Sequence, residues 1–386
     1  MPEHARDGGG KTRRFRRPNV LTGGTARSFG NYSFLDQAMP EATMNCFAKR
    51  GILAFLPIFL LYATFSLHAV AADVPAQPES IVVFGDSLSD TGNVFEATLH
   101  AEPPSPPYFD GRFSNGPVWV ELLAGQFGLD VRPALSGGTN YAVGGAKVRT
   151  GEDSIEDQVR TFLAGRGLSR LSDSTLFVVF GGGNDLTGAA GSTDPAGIVT
   201  DAATGIQNIV EELAGRGAVN FLVPNLPNTG STPDARSHGA TGTEQALSTG
   251  FNAALDALLE DTSARLGINI IRVDLFGLLE NAVTMPAMFG FSDIVNPCLV
   301  PQEGGNGFTV CSDPGSHLFW DDIHPTARGH QFIAGAAVGA YRLAAGTKPT
   351  SDSGMPTVDA DARSFQRNLL DRIRSTLGGL ARGALP

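Results

Sequence analysis

Cysteine is scarce in this chain: three occur in 386 residues, at Cys46, Cys298 and Cys311. So few, with no closely spaced histidines beside them, exclude a structural zinc site of the usual kind. Basic residues are outnumbered too. Lys and Arg number 28 against 39 Asp and Glu, a formal charge of −11 that sets the chain against nucleic acid as a partner. There is no internal repeat and no low-complexity array. One apolar run stands out for its length, residues 51–67, and it lies near the N-terminus.

What is present describes a globular protein. Hydrophobic residues make up 42% and charged residues 17%, enough for a large core, in one large α/β domain or two smaller ones. The 48 glycines and 24 prolines indicate many turns. Residues 1–43 are polar, contain Gly and Arg, and lack periodicity; they read as disordered or as a spurious upstream extension. From Met44 to residue 72 the pattern is a signal peptide: Lys49-Arg50, the apolar run, then Ala69-Val70-Ala71 as an A-x-A site, with cleavage near Ala71 or Ala72. The competing reading of residues 51–67 is a membrane anchor. The expected location is therefore secreted or periplasmic. The first 72 residues hold 9 of the basic and 4 of the acidic residues, so the remainder carries a formal −16. Cys46 leaves with the signal peptide. Cys298 and Cys311 remain as an even pair, expected to form a disulfide in an oxidising compartment, with two free buried thiols as the alternative.

From Ile81 the chain alternates short apolar runs with helical patterns. Ile81 to Phe84, Thr175 to Phe180, Ala218 to Val223 and Asn269 to Val273 read as buried strands. A shorter one leads into the glycine turn of Asn140 to Ala146. Helical spacing covers 117–128, 155–164, 196–216, 243–266 and 325–344, the last opened by Pro325. This alternation predicts a parallel sheet covered on both faces. Residues 277–316 read as irregular and 101–117 as a long loop.

The chemistry-bearing residues fall at the ends of these strands, where open α/β sheets bind ligands. Ser87 follows the first strand in Ile81–Asn93, IVVFGDSLSDTGN. A serine that attacks an ester needs a base, an orienter for the base and donors for the oxyanion. His324 is the expected base and Asp321, three residues earlier, its orienter, since i and i+3 face the same way on a turn. His317 has no acid at a suitable spacing, and His330 lies inside the last helix, facing away. Asp322 is expected to be solvated or to cap that helix. The expected oxyanion donors are the Ser87 N–H, the Gly144 N–H and the Asn184 side chain.

Four blocks, Gly85-Asp86-Ser87-Leu88, Asn140 to Ala146, Gly182-Gly183-Asn184-Asp185 and Asp321-Asp322-Ile323-His324, together resemble the GDSL esterase/lipase, or SGNH hydrolase, family. The resemblance spans roughly Ile81 to Ala344. The longer forms Gly85 to Asn93 and Gly111 to Gly116 are similar to its secreted lipase-like branch. The resemblance implies a three-layer α/β/α sandwich, flavodoxin-like, with a parallel sheet of about five strands. It implies a catalytic domain over residues 73–345, with Ser87 as nucleophile, Asp321 and His324 as its acid–base pair, and Ser87, Gly144 and Asn184 as the oxyanion hole. The implied activity is a secreted serine esterase or lipase that needs no cofactor and no metal. The alternatives are a phospholipase or acyltransferase acting on glycerophospholipids, a polysaccharide O-deacetylase, and a non-catalytic lipid- or carbohydrate-binding protein. Ser89 stands where the second glycine of G-x-S-x-G would be, which separates the chain from the larger α/β-hydrolase class. The expected partner is a small-molecule or lipid ester; residues 346–386 read as a linker and a basic amphipathic helix, expected to pack on its own domain, with transient membrane-surface contact as the alternative.

Overall fold

The computed structural model describes residues 73–347, apart from 303, 305 and 306. The expected extension, signal peptide and C-terminal amphipathic helix lie outside the described residues. Four parallel strands form the central sheet in the order β1 (Ser80–Gly85), β2 (Thr175–Phe180), β3 (Asn220–Pro224), β4 (Asn269–Val273). β1 to β3 are buried almost throughout, which is why they read as continuous apolar runs and not as alternating ones.

A fifth segment lies along the free edge of β1. Val83 N–H donates to Thr139 O at 3.1 Å, Tyr141 N–H to Val83 O at 2.8 Å, and Val143 N–H to Gly85 O at 3.1 Å. It pairs as an isolated parallel bridge at Asn140 and not as a regular strand. With residues 139–143 counted second in chain order, the sheet runs 2-1-3-4-5, the flavodoxin-like order.

The helices are α1 (Asn93–Ala97), α2 (Trp119–Gly125), α3 (Ile155–Arg166), α4 (Gly183–Ala189), α5 (Pro195–Gly215), α6 (Pro233–Ser237), α7 (Thr241–Leu266), α8 (Leu275–Thr284) and α9 (Ala327–Ala344). Helices α3, α5 and α7 cover one face of the sheet and α2 and α9 the other, giving three layers. Alternation along the strands decides which side chain meets which layer. Phe84 and Phe177 pack edge-on against Phe162 of α3, whereas Phe180 meets Trp119 of α2.

Two expectations from sequence need correction. Residues 277–316 are not wholly irregular. Asp274 caps α8 by accepting from the Gly277 N–H at 2.9 Å, and β5 (Leu299–Pro301) and β6 (Phe308–Val310) form an antiparallel hairpin. The last helix opens at Ala327, not at Pro325. The Thr326 hydroxyl accepts from the Gly329 N–H, which fixes the cap one residue after the proline. Asp322 is therefore not the cap; its carbonyl accepts from the Asp234 N–H at 3.0 Å.

Cys298 and Cys311 are disulfide-bonded, as expected of this pair. The bridge joins the two ends of the β5–β6 hairpin, and the hairpin docks on the segment before Asp321. Cys298 N–H donates to Phe319 O at 3.1 Å and Leu299 N–H to Trp320 O at 2.6 Å.

Candidate active site

The turn after β1 is held from three sides. The Gln158 amide of α3 both accepts from the Gly85 N–H (2.9 Å) and donates to the Gly85 carbonyl (2.8 Å). Ser89 and Asp90 close the turn with N–H bonds to Asp86 O, both at 3.0 Å. The Asn140 amide donates to Ser89 O at 2.7 Å. Ser87 is thus fixed at the carboxyl edge of the sheet, at 8% exposure.

His324 Nε2 lies 2.8 Å from Ser87 Oγ. Its other nitrogen, Nδ1, lies 2.9 and 2.8 Å from Asp321 Oδ1 and Oδ2. The Asp321 carboxylate also accepts from the N–H groups of Ile323 (3.0 Å) and His324 (2.8 Å), and from the Tyr108 hydroxyl at 2.7 Å. Burial alone would raise the Asp321 carboxyl. The His324 charge and these hydrogen bonds outweigh it and hold the group at about 2. The Phe113 ring stands 5.3 Å from the imidazole, centre to centre. Burial, and then the neighbouring Asp321 charge, push the Tyr108 phenol upward, so its hydroxyl stays a donor.

The rival histidines are placed elsewhere. His330 is fully buried, and burial followed by the His324 charge lowers it to about 3. Its Nδ1 accepts from the Trp119 N–H at 3.3 Å. His317 does have an acid, contrary to expectation: Nε2 stands 3.7 Å from Asp293 Oδ2, a partner supplied by a different turn.

Gly144 is not a free donor. Its N–H donates to Asp90 Oδ2 at 3.0 Å. Glycine is needed here for space, since a Cβ would sit 2.4 Å from the Phe113 ring. The next peptide behaves differently. Gly145 has φ +79°, a conformation that favours glycine, and its N–H meets no acceptor among the described residues. Nor does the Ser87 N–H. Asn184 at the N-terminus of α4 donates one amide hydrogen to Ala146 O at 3.0 Å, which ties its side chain to the end of the glycine turn with a second hydrogen still available. The Asp90 contact that occupies the Gly144 N–H is tertiary, joining positions far apart in the chain, and leaves no mark in the local sequence.

Among the described residues one group of metal-capable side chains comes together, Cys298, Cys311 and His317, with ligand atoms within 4.8 Å of one another. Both sulfurs are committed to the disulfide and offer no thiolate.

The profile of the GDSL-like Lipase/Acylhydrolase family matches residues 81–337, two thirds of the chain and every block described above. The chain belongs to this family. This GDSL hydrolase is a carboxylic ester hydrolase of the esterase/lipase kind. It is 31% identical to the phosphatidylcholine-sterol acyltransferase of Aeromonas hydrophila, covering 62% of this chain and 70% of that protein. It is 28% identical to the thermolabile hemolysin of Vibrio parahaemolyticus over 68% of this chain and 64% of that one. A GDSL esterase/lipase of Arabidopsis thaliana is 26% identical over 76% of this chain and 93% of its own length. Among solved structures, a lipolytic G-D-S-L family protein from Veillonella parvula covers 67% of this chain and 96% of its own, at 15% identity and a TM-score of 0.38.

One buried acid of the GDSL turn has a measurable signature. Burial raises the Asp86 carboxyl to about 6 from an ordinary 3.8, against the Leu88 N–H bond and the His324 charge. A carboxyl raised on folding holds its proton more tightly in the folded state. Its contribution to stability is full below the ordinary value and is lost as pH rises through about 6. Asp86→Asn removes this titration. The gap in unfolding free energy between variant and parent should move by about 3 kcal/mol in the variant's favour between about pH 3 and about pH 7, read from urea unfolding at each pH. A gap that stays constant with pH would mean that Asp86 ionises alike in the folded and unfolded chains.

Proposed function

We propose that the GDSL hydrolase cleaves its ester through an acyl-enzyme on Ser87. The observation that carries this reading is the hydrogen-bonded line Ser87 Oγ, His324 Nε2, His324 Nδ1, Asp321, with the histidine nine-tenths buried. With the Nδ1 proton held by Asp321, Nε2 presents its lone pair to the serine hydroxyl. Ser87 Oγ attacks the ester carbon as its proton passes to Nε2. The oxyanion that develops is met by the Ser87 and Gly145 N–H groups and the free amide hydrogen of Asn184. Collapse expels the alcohol, which takes the proton from Nε2. Water repeats the sequence on the acyl-enzyme and regenerates the serine.

A second reading has support from one relative. The Aeromonas protein carries the name of an acyltransferase, so an alcohol in place of water could accept the acyl group from the same intermediate. Both routes share the first half-reaction. Export to an oxidising compartment belongs to the proposal as well. The disulfide supports it.

The test is a rapid-mix reaction of the full chain with p-nitrophenyl acetate. One equivalent of p-nitrophenol should appear in a burst, and digestion after acid quench should place one acetyl group on the peptide containing Ser87. Acetylation at another residue, or turnover without acylation of any, would remove Ser87 from its assigned role.

A further inference from the structure

The loop 101–117 sends one hydroxyl to the acid of the catalytic line. Tyr108 ends a turn in which Pro103, Pro104, Pro106 and Pro107 each fix φ. Its N–H donates to Pro104 O at 3.1 Å, and the Ser105 hydroxyl donates to its carbonyl at 2.6 Å. The ring is gripped edge-on by Trp320 at 6.3 Å, Phe113 at 6.4 Å and Phe308 at 6.5 Å, centre to centre. Trp320 forms a small apolar cluster with Cys298 and Leu299 of the disulfide-closed hairpin, and Tyr108 packs against it. Backbone and ring are thus set by other contacts, so the hydroxyl bonds at little further cost in side-chain entropy. That bond goes to Asp321 Oδ2 at 2.7 Å.

The two oxygens of Asp321 are held differently. Oδ1 accepts from the Ile323 and His324 N–H groups of its own turn. Oδ2 has no backbone donor among the described residues; its partners are His324 Nδ1 at 2.8 Å and the Tyr108 hydroxyl. The Cβ–Cγ torsion of an aspartate is broad, so bonds to Oδ1 alone would let Oδ2 swing.

We propose that Tyr108 is a positioning residue for ester cleavage: its hydroxyl anchors Asp321 Oδ2, and through it the imidazole that exchanges a proton with Ser87. The inference rests on the acyl-enzyme reading and extends it to a side chain that touches neither the serine nor the substrate. Tyr108 takes no part in the wall of the cavity that contains Ser87 and His324. Its proton is held by Asp321, and burial followed by the Asp321 charge keeps the phenol protonated, so it is no oxyanion donor. Its effect passes through the carboxylate. That effect is largest once Nε2 has taken the serine proton. Imidazolium and carboxylate then face each other across the Nδ1 proton, and an ill-aimed carboxylate stabilises the pair less. A loss confined to that stage lowers kcat and leaves KM alone.

The test is steady-state kinetics on p-nitrophenyl acetate with the full chain, Tyr108→Phe, Asp321→Asn, the two combined, and Ser87→Ala as the background. Tyr108→Phe keeps the ring among its aromatic neighbours and removes the hydroxyl alone; circular dichroism verifies the fold of each chain. In Tyr108→Phe, kcat should fall about tenfold, the scale of one hydrogen bond to a charged group, with KM within about twofold of the parent. In the Asp321→Asn chain the same change should cost less than about twofold, because the carboxylate through which the hydroxyl acts is gone. An unchanged kcat in Tyr108→Phe would overturn the assignment. So would a rise in KM alone, which places the tyrosine against the substrate. A second tenfold loss on top of Asp321→Asn would do the same, since the tyrosine would then act independently of the acid. Parent-level turnover by Ser87→Ala would instead remove the acyl-enzyme reading, a result distinct from any of these.

Discussion

Asp321→Asn is expected to lower kcat about ten-thousand-fold while the chain keeps its fold. The reason lies in the partners of the carboxylate. All of them are donors: the Ile323 and His324 N–H groups, the Tyr108 hydroxyl and the His324 Nδ1 proton. A carboxylate held at about 2 is ionised at any working pH and accepts from every one. An amide has one oxygen to offer. If that oxygen keeps the two backbone N–H groups, the amide nitrogen faces His324 Nδ1 and imposes the tautomer with its proton on Nε2. That proton then points at Ser87 Oγ, and the imidazole can no longer take the hydroxyl proton. If the amide turns over, its hydrogens meet the two backbone N–H groups head-on. Tyr108 can adapt in the first case, because a hydroxyl can accept as well as donate. Steady-state kinetics beside a thermal melt would check this. A loss in kcat of less than tenfold, with the melt unchanged, would show that something other than Asp321 orients the imidazole.

Asp90→Ala should have the largest effect on stability, and it should take activity with it. Asp90 is wholly buried, and its two oxygens accept from four backbone N–H groups: Gly92 at 2.7 Å, Asn93 at 2.6 Å, Val94 at 3.2 Å and Gly144 at 3.0 Å. Burial raises this carboxyl and the four bonds pull it back, with burial the larger. The side chain is thus costly to bury, and its removal still leaves four donors without an acceptor. At roughly 1 kcal/mol or more for each stranded donor, the loss is about 4 kcal/mol. In a domain of this size that lowers Tm by about 8–16 °C. The Gly144–Gly145 turn loses its tie to the GDSL segment at the same time, so kcat/KM should fall further than the folded fraction explains. Differential scanning calorimetry and kinetics at a temperature where the variant is fully folded separate the two effects. A loss of under 1 kcal/mol would mean that water replaces the carboxylate at these N–H groups.

Strand β2 is legible to the residue in the sequence because a fully buried apolar run has few other readings, and β4, only partly buried, because its β-branched residues lie between the end of a long helix and a capping aspartate. Ser87 and Asn184 stand out for a different reason, because each closely follows a strand, and Asp321 and His324 stand out by the three-residue spacing that brings their side chains into hydrogen-bonding contact. What could not be read depends on contacts between distant segments. The short strand before the glycine turn is legible, but its place on the free edge of β1 is a contact between segments more than fifty residues apart. The Asp90 bond that occupies the Gly144 N–H joins positions 54 apart. Tyr108 reaches Asp321 across 213 residues, from a loop whose proline-rich sequence says nothing of its destination. Helix α8 is an ordinary oversight, since Asp274 before an apolar stretch is a capping signal in plain view.

The acid and the base of the dyad sit three residues apart, whereas the base and the serine are separated by 237. In the order of events during folding, these are opposite extremes. The Asp321–His324 contact closes a loop of minimal entropy and can form as soon as its turn does. The Ser87–His324 contact is a late closure, available only after β1, the rest of the sheet and α9 have been assembled around one core. Enzyme activity in this protein is therefore a clock for the final stage of refolding. Circular dichroism reports the helices and a thiol assay reports the disulfide, and both can recover in molecules that turn over nothing.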